Sequence, residues 1–332
     1  MSRPTISDLA RLAGVSKTTV SHAFSGRRHV DPETCRKIKE LAQQIGYRPN
    51  RSAQSLRTGR TGMIALASSM PFSIAAGPSR LGFFMEIAAA AAVASLTRNQ
   101  ALCLFPPIAA DTGPQALAMD GAILVEPFRD DPMVERYCSS GIPVVSIGRV
   151  PGRDDIPFVD LRSHQTALMV LGHLRDSGAN RIALVTGAQR RNSYLKTEAA
   201  YAAFCTARNM PEILLRIDEA GGEPEAEGRC AALLADHPEI DALFVPVDAF
   251  ASGAVTAART AGREVPGKLR LATRYDGSRA KLAEPPLTAV DLHLDDIATL
   301  AVDLLIATLD GRAGDGAQPP APTLIARRSS GH

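Results

Sequence analysis

Lys17, Thr18, Ser21 and His22 fall within a six-residue stretch of TISDLARLAGVSKTTVSHAF. All four are short polar or cationic side chains of the kind that hydrogen-bond to base edges and phosphates. Such a set works only if one rigid face presents it, and the flanking residues supply that face. Thr5 with Asp8 three positions later forms a capping-box start, Ile6, Leu9, Leu12 and Ala13 recur on one side, and Gly14 stops the helix. Ser16 caps a second helix that turns Val20, Ala23 and Phe24 inward and Lys17, Thr18, Ser21 and His22 outward. Asp31 and Pro32 start a third helix with an apolar stripe of Ile38, Leu41, Ala42 and Ile45, ended by Gly46. The expectation is a helix-turn-helix inside a three-helix head with one small core; the alternative is an ordinary three-helix domain with a solvated basic face.

Charge separates this head from the rest. Residues 1–60 carry 12 Lys or Arg against 4 Asp or Glu, and the remaining 272 carry 25 against 31, so the whole-chain value of +2 conceals a basic head on an acidic body. A head with that balance has a salt-dependent affinity for any duplex through counterion release.

In the body, apolar runs of strand length alternate with helical stretches, the pattern of βαβ units with parallel sheets. MIALAS, ALCLF, GAILV and PVVSIG form one set of strands, then PFVDL, RIALVTG, ILLRI, ALFVPV and LRLAT follow. The acidic stretch DEAGGEPEAEG and the stretch GDGAQPPAP read as exposed connections. The five cysteines contain no CxxC pair, which argues against disulfide or zinc frameworks, and no metal or other cofactor is expected. Motifs of catalysis are missing: no GxSxG, no GxxxxGK[ST], no HExxH and no GxGxxG after a strand. His164 and His173 are too far apart for adjacent helical turns. The chain therefore reads as a non-enzyme. The absence of an apolar leader points to a cytoplasmic protein with no membrane partner.

TISDLARLAGVSKTTVS, the HVDPET start of the third helix and IGYRPNRSAQSLRTGRTG together resemble the LacI/GalR family of bacterial transcription regulators. The likeness runs nearly end to end and is most specific in the head. It implies an N-terminal three-helix helix-turn-helix head plus an α/β periplasmic-binding-protein-like core of two Rossmann-like subdomains. The implied boundaries are a head at 1–47, a hinge helix and linker at 48–60, and an effector-binding and dimerisation core at 61–332. In that core a first subdomain takes about 61–159 and 291–322, and a second about 160–290 and 323–330. The resemblance implies Lys17, Thr18 and His22 as base-reading positions, with Thr5, Ser16, Thr19, Ser21, His29 and Tyr47 near the DNA backbone. His22 stands where many relatives carry Arg, and an imidazole offers one ring edge where Arg offers a bidentate fork. The segment 50–57 is similar to the family's minor-groove hinge helix, with Asn50 as cap, Arg51, Ala53 and Gln54 nearby and Leu56 as apolar wedge. About two turns are too few for a stable helix in water, so its folding would be coupled to DNA binding.

For the core, the resemblance implies a ligand between the subdomains, at the carboxyl ends of strands. Candidate effector positions are Arg80, Phe84, Asp160, Asn192, Lys196, Thr197, Asp248, Phe250 and Asp276. Of these Asp248, Asp276 and Thr197 stand at positions of family motifs, and Arg80 comes from a first strand-to-helix loop unlike the family's. Lys196, Arg191 or Asn192 would compensate for the Arg that Thr197 replaces without matching it residue for residue. Several depart from the family pattern: Val247 replaces the Asn before Asp248, Arg274 and Gly277 flank the Asp276 motif, and Thr197 and Ala200 stand where many relatives have Arg and Gly. The implied function is a ligand-responsive, DNA-binding transcriptional repressor. It binds a pseudopalindromic operator as a homodimer, is bacterial and cytoplasmic, and is nucleoid-associated when bound. Its effector is a sugar or sugar-like molecule, an anionic one included. The alternatives are a DNA-binding dimer with a degenerate, non-sensing core, and a cytosolic solute-binding sensor.

Overall fold

The computed structural model describes residues 4–25, 28–47, 59–75, 82–105, 118–312 and 318–331. The chain divides into two compact units, Met1–Thr61 and Gly62–His332.

The first unit holds α1 (Ile6–Ala13), α2 (Lys17–Ser25) and α3 (Pro32–Ile45). Their ends are built as the residue types dictate. The Thr5 N–H donates to Asp8 Oδ2 at 2.9 Å and the Asp8 N–H to Thr5 Oγ1 at 3.3 Å, closing the capping box. Gly14 and Gly46 end α1 and α3 in the left-handed conformation. Ser16 Oγ accepts the Thr19 N–H at 3.0 Å, and Asp31 Oδ2 accepts the Thr34 N–H at 2.9 Å. Leu9, Val20 and Ile38 are fully buried at the centre, with Ala10, Ala13, Ala23 and Ala42 around them and Phe24 tilted against Tyr47. Leu12 departs from the expectation: it is 48% exposed, and Ala10 takes the inward place. At 100° per residue the stripe centres among positions 6, 9, 10 and 13, and Leu12 lies roughly 110° away from it.

The second unit is built on two parallel sheets. In the first, β1 (Met63–Ser68), β2 (Ala101–Phe105), β3 (Gly121–Val125), β4 (Val144–Ile147) and β5 (Phe158–Val159) run in the order β2-β1-β3-β4-β5. In the second, β6 (Ile182–Gly187), β7 (Ile213–Ile217), β8 (Ala242–Phe244) and β9 (Arg270–Ala272) run in the order β7-β6-β8-β9. Helices cover both faces, so the middle strands MIALAS, GAILV, VVSI and IALVTG are almost wholly buried and lack alternation. The helices are α4 (Phe72–Ala75), α5 (Phe83–Thr97) and α6 (Pro132–Ser139), then α7 (Ser163–Asp176), α8 (Asn192–Ala207), α9 (Gly222–Asp236), α10 (Asp248–Thr260), α11 (Ser278–Leu282) and α12 (Leu294–Leu309). A short antiparallel pair, β10 (Ala289–Asp291) with β11 (Thr323–Ile325), is tied to the second sheet through the Ala272–Thr288 bridge.

The chain passes from the first sheet to the second after β5 and returns after β10, where α12 packs on α5 and the first sheet. Both passages share one local build. Asp160 Oδ1 accepts the Arg162 N–H at 2.9 Å and Asp291 Oδ1 accepts the His293 N–H at 2.8 Å. Arg162 (φ 48) and His293 (φ 56) are left-handed, and each leads directly into a helix.

One expected connection is corrected. DEAGGEPEAEG is mostly a 3-10 turn (Glu219–Gly221) and the start of α9, and Glu219 is buried. Pro224 fits a first helical turn, and Glu223 and Glu225 suit its positive end, so the composition that resembles a loop is also that of a helix start.

Candidate functional site

Each sheet reverses its strand order once, between β1 and β3 in the first and between β6 and β8 in the second. The loops at the carboxyl ends of these strands are where an α/β sheet opens a crevice. Here Met70 and Glu126 from the first sheet line a common cavity with Val247, Asp248, Arg274 and Tyr275 from the second.

The chain's own side chains fill most of that space. Arg191, at the start of α8, forks onto Glu219 with Nε–Oε1 at 2.8 Å and Nη2–Oε2 at 2.7 Å, both residues 1% exposed. Tyr194 donates its hydroxyl to Glu219 Oε1 at 2.7 Å, and burial holds that phenol well above its ordinary range. Arg191 also reaches across to the Glu126 carbonyl and, at 3.3 Å, to Ser69 Oγ, with its guanidinium over Phe128. The Glu126 carboxylate points the other way, into the second half. It accepts from Ser193 Oγ and lies 3.4 Å from Arg274 Nη1, while Arg274 also reaches Ser163 Oγ at 3.3 Å and covers the Phe83 ring. Glu126 is a left-handed residue (φ 50) directly after β3, which aims its side chain out of the sheet. Ser73 on α4 donates to the Glu219 carbonyl at 2.8 Å beside Gly222. A Cβ on Gly222 (φ +57) would stand 2.7 Å from Ser73 Cβ.

What remains of the central chamber is about 20 Å³, the room of one water. Three buried polar atoms of its lining residues have no hydrogen-bond partner, Asp248 Oδ2, Arg274 Nε and Tyr275 Oη. Asp248 Oδ1 accepts the Ala249 N–H at 2.8 Å, and Arg279 Nε is 3.8 Å from Oδ2. Burial pushes the Asp248 carboxyl up to about 6, the Arg279 charge opposing it.

Two larger cavities flank the chamber. One of about 230 Å³ is lined by Glu86, Asp276, Lys281, Asp291 and His293; Asp276 there is paired with Arg327 at 2.6 Å and with Lys281 at 3.5 Å. The other, about 430 Å³, is lined by Arg149, Phe158, Asp160, Arg162, His164, Asn192 and Lys196 among others.

The expected effector positions are therefore distributed. Asp248 faces the central chamber, Asp276 one flank, and Asp160, Asn192 and Lys196 the other. Thr197, Phe84 and Phe250 are buried, and the two phenylalanines belong to the apolar core. Phe83, one position before Phe84, lines the chamber instead, together with Tyr194 and Tyr275. Arg80 lies outside the described residues. Glu126, Glu219 and Tyr194 are the chamber residues that sequence reasoning missed. On the head, Lys17 and Thr18 are exposed, and Ser21 and His22 are half-buried on the same helix. His22 Nδ1 is buried without a hydrogen-bond partner. Thr5, Ser16 and Thr19 serve the caps, His29 is exposed, and Tyr47 packs on Phe24. Asn50, Arg51, Ala53, Gln54 and Leu56 lie outside the described residues.

Residues 5–50 match the family model described as bacterial regulatory proteins, lacI family, and residues 171–330 match the periplasmic binding protein-like domain. The HTH-type transcriptional regulator CelR of Thermobifida fusca is 28% identical over 99% of this chain and 98% of its own length. Solved structures agree over nearly the whole chain. A transcriptional regulator CelR–cellobiose complex is similar at TM-score 0.72 and 26% identity, with 98% of this chain and 100% of that one covered. The lac repressor dimer bound to operator and the anti-inducer ONPF shares the fold at TM-score 0.77 and 22% identity, with 99% of each chain covered. The chain belongs to the LacI/GalR family. As a LacI/GalR protein it is a DNA-binding transcription regulator and not an enzyme. Among the described residues no helix is long and apolar enough to cross a membrane.

Proposed function

We propose that this LacI/GalR protein is a ligand-responsive repressor that binds a pseudopalindromic operator as a homodimer in the bacterial cytoplasm, on the nucleoid when bound. The observation that carries the sensing half of this reading is the crevice between the two sheets, where polar atoms of buried Asp248 and Arg274 have no hydrogen-bond partner. Lys17, Thr18 and His22 read bases in one major groove. Thr5, Ser16, Thr19, Ser21, His29 and Tyr47 hold the phosphates, and the segment from Asn50 to Leu56 enters the minor groove. Exposed Val93, Leu96 and Leu282, from 65% to 75% accessible, support a partner subunit covering them. The head lies at 1–47, the hinge at 48–60 and the core beyond, in two subdomains joined at the passages near 160, 291 and 323. A ligand that prefers one placement of the subdomains shifts operator affinity, and operator shifts ligand affinity by the same factor.

A second reading is favoured by the self-filled chamber: a DNA-binding dimer whose core no longer senses a ligand. Selection of bound sequences from a random DNA pool, repeated with and without a panel of small metabolites, separates the two. A twofold-symmetric site whose occupancy responds to a metabolite supports the sensing dimer. A symmetric site indifferent to all of them supports the second reading, and a site without symmetry overturns the dimeric one.

A further inference from the structure

The central chamber has room for about one water, so a ligand larger than that cannot lie there while Arg191, Glu219 and Glu126 hold their places. The larger of the two flanking cavities, the mouth cavity, is different in size and in sign. Its volume of about 430 Å³ is that of an ordinary small-molecule site. Arg149, which follows β4, comes from the first half; Lys196, on α8, comes from the second; Arg162 stands at the passage between them. The carboxylate among the lining residues is Asp160, and its Oδ1 is already engaged by the Arg162 N–H. Arg162 is fixed in place by donating to the Pro319 carbonyl at 2.8 Å, and Arg149 lies over the Phe158 ring at 5.6 Å. The ion pair from Arg149 to Asp154 is exposed, with the carboxylate 84% accessible, and competes weakly with a ligand.

We propose that the core binds a small organic anion, a phosphate ester or a carboxylate, in this mouth cavity, with Arg149, Arg162 and Lys196 as its cationic clamp. The proposal rests on the reading that the core senses a ligand, and it names the ligand's class and place. Charge-assisted bonds to two guanidinium groups and an ammonium suit a phosphate or carboxylate, whereas an uncharged polyol leaves the excess of three cations over the one lining carboxylate, Asp160, unanswered inside the cavity. Because the cations come from both halves, an anion between them binds the closed arrangement better than an open one, which is the differential affinity a switch requires.

The test uses the full chain with inorganic phosphate, glucose 6-phosphate, glucuronate and glucose, ionic strength held constant with chloride. Melting temperature and calorimetric binding are measured for the unmodified chain and for Lys196→Glu, an exposed position whose change spares the core. At least one of the three anions should raise the melting temperature by about 3 °C, with glucose inert. Lys196→Glu should weaken that binding about tenfold or more. Tighter binding of glucose 6-phosphate than of glucuronate assigns the phosphate ester, and the reverse assigns the carboxylate. Glucose binding as well as glucose 6-phosphate, or anion binding untouched by Lys196→Glu, overturns the proposal while leaving a ligand-sensing core in place. Failure of all three anions overturns it too, and sequence-specific DNA binding measured on the same preparation shows whether the regulator reading survives.

Discussion

At the scale of single residues, the centre of the core depends on charges that would be costly if left alone. Arg191 is buried with its fork on Glu219, so Glu219→Ala removes the partner and strands the guanidinium. A loss of about 3–5 kcal/mol in urea unfolding is expected. Asp248 behaves oppositely, because its native pKa of about 6 lies above that of an unfolded carboxyl. Folding takes up a proton between about pH 4 and 6, so stability falls as pH rises through that window and the full cost of the charge is present above it. Asp248→Asn should therefore stabilise the core by about 2–3 kcal/mol at pH 8, by about half of that at pH 5 and by little near pH 3.5, as urea titrations at the three pH values would show. Asp248 could be picked out from sequence because its segment resembles a motif of the family, which a short local stretch is enough to show. Glu126 and Glu219 could not. Their roles are set by Arg274 and Arg191, 148 and 28 residues away, and an acid among other acids looks solvated until its partner is known.

At the scale of elements, alternation of strand-length apolar runs with helices gave the two parallel sheets and nearly every strand. What it could not give was the sheet to which a short strand belongs: Phe158–Val159 is two residues long and closes the first sheet beside β4. Helix starts rich in Gly and Glu were likewise hidden, because Gly221, Gly222 and Pro224 are loop signals unless the segment packs. The close approach of α4 to the start of α9 requires Gly222, which is left-handed and has Ser73 Cβ only 2.7 Å from where its own Cβ would be. Gly222→Ala should cost about 1–3 kcal/mol and loosen the contact between the halves, read as faster amide exchange around Ser73 and Glu219.

For the whole molecule, the basic head and the acidic body are separate compact units with separate cores. Leu9 is fully buried among three short helices, and a head of that size has little stability to spare. Leu9→Ala removes about 2–5 kcal/mol, enough to unfold the head. The expected result is loss of DNA binding with the melting of the core unchanged, seen as two independent transitions in calorimetry; a single transition lowered as a whole would contradict independent units.

The core's two matched passages, Asp160 to Arg162 and Asp291 to His293, give it the mechanics of a door hung on two pins. Each knot is closed by a hydrogen bond between residues only two apart, so it keeps its own shape while the torsions on either side of it turn. Any swing of one half against the other would therefore gather in those few torsions.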